Sequence, residues 1–100
     1  MQYELMQPPD ASSATQAVEL LRAWVIDGKP QYVLRGNLWQ DNVALWGNFL
    51  ADTAQHLADA LAIETGRNRD GLLSEIVASF SAEIDLPTAP SEGAFFKHDA

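Results

Sequence analysis

The chain contains no cysteine. Disulfide staples, iron–sulfur ligation and a thiol nucleophile are therefore excluded, and the absence fits a reducing compartment. Basic residues are scarce as well: six Lys and Arg stand against fourteen Asp and Glu, a net charge of -8. A nucleic-acid surface needs a basic patch, and an anionic membrane attracts one, so neither partner is indicated. The acidic excess reads as a solubility device. No apolar run approaches the roughly 20 residues of a membrane span. The start, "MQYELMQPPD", has neither the basic residues nor the apolar stretch of a secretory signal. The expectation is a small soluble cytoplasmic protein of bacterial type.

Chemical motifs are missing too. The glycines form neither GxGxxG nor a Walker pattern, no Ser sits in a GxSxG elbow, and no HExxH occurs. No pair of carboxylates stands out as an acid/base couple. No cofactor, metal site or catalytic residue is expected, and an enzyme is the less favoured reading.

What is present is pattern. With hydrophobic residues at 47%, including three Trp and four Phe, the chain can build a core. Residues 1–14 form an N-terminal segment whose "QPPDASSA" is turn-forming, with "YELM" as a short strand or a frayed end. Residues 15–87 read as a single α+β domain, and residues 88–100, with two Pro nearby and no period, as a mobile tail in which Phe95 and Phe96 could dock. In "AVELLRAWVIDGKPQYVLRG", Asp27-Gly28 between strand formers signals a hairpin. Its alternation places Leu21, Ala23, Val25, Tyr32 and Leu34 on one face, taken as the core face. A helical reading competes, because Ser13 and Gln16 resemble a capping box and Val18, Leu21, Arg22 and Val25 fit helical spacing.

Two helices follow. The first is predicted from an Asp41 N-cap to about Ala62, with Gly66 as C-cap. Its apolar arc holds Val43, Trp46, Leu50, Thr53, Leu57, Ala60 and Leu61, with Phe49 at the edge. Beside it runs a small-residue arc of Gly47, Ala51, Ala54, Ala58 and Ala62. This helix should be buried on two sides, one against the hairpin and one against the second helix or a partner. The second helix is predicted from about Asp70 to Pro87, with Leu72, Leu73, Ile76, Val77, Phe80 and Ile84 as its stripe. The expected architecture is α+β, a β-hairpin with a possible third short strand packed against two helices.

Two groups of residues invite a functional reading. Trp39 and Trp46, with Asp52 and His56 on the polar strip of the first helix, could line a ligand pocket. Closure of a small core is the plainer use of the Trp pair, and a solvated surface histidine the plainer reading of His56. Asp52, His56 and Asp59 at i, i+4 and i+7 make too sparse a set for a metal. On the hairpin face opposite the core, Trp24, Ile26 and Val33 lie between Arg22 and Arg35. Aromatic and Arg residues on an uncovered face suggest a homodimer interface.

The runs "ELLRAWVIDG", "LRG..W.D...WG..LAD.A.H.A.AL" and "L..I...F.AE.D.P" resemble a set of small, mostly alphaproteobacterial proteins grouped as domain of unknown function 5076. The resemblance covers roughly residues 18–87. Its most specific positions are Trp24, Asp27, Gly28, Trp39, Asp41, Trp46, Gly47, Asp52, His56 and Glu83. It implies a bacterial, cytoplasmic protein and brings no activity, substrate or catalytic residue. The expected function is a self-associating binding or interaction module. The alternative is a small-molecule-binding protein or enzyme using Trp39, Trp46, Asp52 and His56.

Overall fold

The structure is a computed structural model that describes residues 2–86 and the backbone of residues 92–95. Strands β1 (Leu21–Ile26) and β2 (Lys29–Leu34) form the hairpin. The turn residues Asp27 and Gly28 both have positive φ, 49° and 83°. That conformation matches the right-handed twist of the strands, and Asp and Gly adopt it readily. The register pairs Leu21 with Leu34, Ala23 with Tyr32 and Val25 with Pro30, so the five residues of the anticipated core face do share one face. The competing helix is not formed: residues 16–20 carry no regular structure, and Ser13 instead donates its hydroxyl to the Asp10 carbonyl at 3.4 Å.

Helix α1 (Ala44–Thr65) begins three residues after the predicted cap. Asp41 does not cap it. Consecutive backbone turns carry the chain in, with Leu45 N–H donating to the Asn42 carbonyl at 3.2 Å and Trp46 N–H to that of Val43 at 3.0 Å. Once the backbone has satisfied these donors, no side-chain acceptor is required. At the other end Gly66 is left-handed, φ 75°, and its N–H meets the Ala62 carbonyl, as expected of a C-cap. Helix α2 (Arg69–Asp85) is capped by Asn68, whose Oδ1 accepts from Gly71 N–H at 3.0 Å.

A third strand, β3 (Glu92–Phe95), pairs in parallel with β2, giving the order β1-β2-β3. The third strand thus comes from the C-terminal segment and not from "YELM", which carries no regular structure. The rest of the expected tail, including Phe96 and His98, lies outside the described residues, as does Pro87. Pro30 is tolerated in the central strand because β3 pairs only with Gln31 through Leu34, so its missing N–H leaves no gap in that ladder.

The elements are those of an α+β domain. Their backbone contacts are segregated: β1 meets β2, β2 meets β3 and α1 meets α2, while among the described residues no strand comes within 8 Å of a helix, Cα to Cα. The α1–α2 seam uses the small-residue arc. Ala58 is fully buried and Leu72 is 6% exposed, and these are the two buried apolar residues among those described. Ala54 and Ala62 flank Ala58 half-buried, whereas Gly47 and Ala51 are exposed. A side chain at Gly47 would meet nothing, so within this chain it serves no close approach. The radius of gyration, 15.6 Å, exceeds the value of about 13 Å for a compact chain of this length.

Candidate functional site

Trp39 and Trp46 do meet. Their rings stand edge to face with centroids 4.9 Å apart, and Phe49 joins them at 6.3 Å and 5.9 Å. Trp46 Nε1 also donates to the Gly36 carbonyl at 3.4 Å. Helical spacing presents Trp46 and Phe49 on adjacent positions of the first turn, and the turns of residues 36–43 return Trp39 onto them. The three rings are half-buried and fix the angle at which α1 leaves the sheet. Their chemistry is apolar contact, which agrees with the plainer of the two readings.

Asp52 and His56 form a pair on the helix surface, Nε2 to Oδ2 3.2 Å, with side chains 69% and 75% exposed. No ring contact or ion pair joins Asp52 and His56 to the ring cluster. Two open grooves lie elsewhere. One runs along α2 past Ile76, Phe80 and Ile84, the other between Val18 and Leu38. The described residues gather no group of three or more His, Asp or Glu around a common point. Asp59, the third member of the polar strip, pairs instead with Arg69 at 2.7 Å.

On the hairpin, the Trp24 face is partly engaged within the chain. Arg22 donates to Glu19 at 3.0 Å and to Glu4 at 2.8 Å. Hydrogen bonding to Glu19, then its charge, and then Glu4 raise the guanidinium above its usual range. Carboxylates of its own N-terminal segment thus engage Arg22 within the chain. Arg35 Nε likewise donates to the Glu19 carbonyl at 3.4 Å. Trp24 is half-buried, while Ile26 and Val33 are 42% and 40% exposed.

The larger uncovered surfaces are the ones anticipated as core. Val25 on the opposite hairpin face is 73% exposed. On α1, Leu50 and Leu57 are 43% and 47% exposed, and on α2 Val77, Phe80 and Ile84 reach 48%, 52% and 66%. The α2 row belongs to the apolar stripe predicted for that helix, which spans about 140° at 100° per residue.

These features define a small α+β domain with apolar residues exposed on both its helices and its hairpin among the described residues. The chain belongs to the family described as "Domain of unknown function (DUF5076)", whose model matches residues 4–88. It is similar to a solved structure described as that of "a putative pyruvate dehydrogenase from the photosynthetic bacterium Rhodopseudomonas palustrus CGA009", with 32% identity, a TM-score of 0.71, and 91% of this chain and 92% of that one covered. Among curated proteins none matches the chain. No helix among the described residues is long and apolar enough to cross a membrane.

Proposed function

We propose that this chain is a self-associating interaction module of the cytoplasm, working as a homodimer. The observation that carries the reading is its surface. The chain exposes 8503 Å², whereas a compact 11.0 kDa monomer exposes about 5,600 Å². The excess of about 2,900 Å² is well above the ~800 Å² that each partner contributes to a standard interface. Much of what is exposed is apolar and borne by ordered helices and strands, which is the signature of an association surface. The absence of cysteine is consistent with a reducing compartment.

Light scattering across micromolar concentrations tests this. The expected mass is twice the 11.0 kDa of the chain. A wild type that remains monomeric sinks the proposal.

The name carried by the Rhodopseudomonas structure favours a second reading, an enzyme acting on pyruvate. In this chain the residues available to such a site are Asp52 and His56 on the polar strip of α1 and the Trp39–Trp46 cluster at its start. Calorimetric titration with pyruvate decides it: saturable heat lost in His56→Ala would move the function to that pair.

A further inference from the structure

We infer that in the dimer the helix pair of each copy covers the sheet of the other, seated on the face of Leu21, Ala23, Val25, Tyr32 and Leu34. The inference rests on the homodimer reading and assigns its surfaces.

A three-stranded sheet requires a covering layer to bury its apolar face. Parallel strands joined by a helical crossover ordinarily receive that layer from the crossover itself. Here the crossover between β2 and β3 contains α1 and α2, yet among the described residues neither helix brings its backbone within 8 Å of a strand, Cα to Cα. The departure is held in place. Trp46 is bonded to the Gly36 carbonyl and packed on Trp39, so the first turn of α1 is fixed to the loop leaving β2. The apolar rows of the helices therefore stand away from their own sheet. Each chain offers a sheet face on which Ala23 and Val25 are exposed and Leu21, Tyr32 and Leu34 half-buried, together with exposed apolar rows on its helices, and a two-fold exchange satisfies both at once.

Charge distinguishes this exchange from a dimer built helix pair on helix pair. Residues 21–35 hold Arg22, Lys29 and Arg35 against Asp27, a net +2. Residues 44–85 hold Arg67 and Arg69 against seven Asp and Glu, a net -5. All three basic residues lie on the Trp24 face, opposite the one covered, so charge bears on the rival arrangement alone: helices against helices would bring two strongly acidic surfaces into register. The Trp24 face is the weaker candidate for cover, because Glu4 and Glu19 already engage Arg22 beside it.

The test compares Val25→Asp, Leu57→Asp and Trp24→Asp by light scattering, with circular dichroism to confirm folding. Val25→Asp and Leu57→Asp should each raise the dimer dissociation constant by at least about tenfold, since each places a carboxylate in an apolar contact. Mixing the two should recover a heterodimer, because one of its two sheet–helix contacts is then wild type on both sides. Trp24→Asp should remain dimeric. A dimeric wild type with Val25→Asp still fully dimeric would overturn this arrangement while leaving self-association standing; a monomeric wild type removes both. If an Asp variant unfolds, cross-linking replaces it. The chain has no cysteine, so Val25→Cys and Leu57→Cys each carry a unique thiol. Oxidation of the mixed variants should yield the Val25→Cys/Leu57→Cys heterodimer as the main product. Cross-links between two Leu57→Cys chains alone would overturn the arrangement.

Discussion

The helix pair and the sheet bury their apolar residues to different extents. Helices α1 and α2 own a seam within the chain, where Ala58 is fully buried and Leu72 nearly so. The sheet has no buried residue among those described, and Val25 on its more apolar face is 73% exposed. Close approach of two helices needs only small residues at the contact, and one Ala every third or fourth position provides that. A sheet face needs a second layer of comparable area, and among the described residues no helix comes within 8 Å of it, Cα to Cα. On the homodimer reading, the contrast separates what one copy stabilises by itself from what a partner would supply.

The sharpest way to test the contrast is to truncate one residue on each side of it. Leu72→Ala removes a side chain buried in the seam and should cost about 2–5 kcal/mol in a denaturant melt, at every protein concentration. Leu57, 47% exposed in the single chain, should behave differently. The loss in Leu57→Ala should grow with concentration, because its burial is supplied by association. Equal, concentration-independent losses for the two variants would break the distinction.

Which parts of this arrangement could be read from the sequence follows from the range of the forces involved. Asp27-Gly28 announced the hairpin and its register because a two-residue turn with positive φ is a local property. Gly66 announced a helix end for the same reason. The small-residue arc of α1 was legible, and its member Ala58 lies buried in the seam. Strand β3 was not foreseen at its site, since "EGAF" has no alternation and its pairing with β2 depends on a connection of more than fifty residues. Nor could periodicity say which copy covers an apolar face. It marked Leu21, Ala23, Val25, Tyr32 and Leu34 correctly as one face, but the helices it laid over that face stay more than 8 Å from the strands, Cα to Cα. In the candidate site, the meeting of Trp39 and Trp46 and the i,i+4 pairing of Asp52 with His56 were both readable. Their separation was not, because it depends on how the turns of residues 36–43 fold back.

A smaller effect probes how each helix of the seam is started. Asn68 accepts from Gly71 N–H at 3.0 Å, whereas α1 begins on backbone turns with no side-chain cap. Asn68→Ala should therefore cost about 1 kcal/mol. Asp41→Ala, at the position where sequence pattern alone placed a cap, should stay within about 0.5 kcal/mol of the wild type. Thermal melts of both variants decide, and a larger loss at Asp41 than at Asn68 would show that the α1 start is held by that carboxylate after all.

The smallest effect is expected at His56, and it separates surface from site. Its imidazole lies 3.2 Å from Asp52, and both side chains are mostly solvated. An exposed i,i+4 pair on a helix contributes on the order of 0.3–0.5 kcal/mol at most, so His56→Ala should fold and melt close to the wild type. Zinc is the more demanding probe. A protein site for this metal draws three or four ligands to one point, and the described residues gather no such group. Asp59, one turn further along, is held by Arg69 at 2.7 Å and would have to give up that guanidinium to join His56. Calorimetry should accordingly register no stoichiometric submicromolar binding of zinc. If it does, and His56→Ala abolishes it, the polar strip of α1 is a site after all, and its ligands must be completed by residues from a second copy.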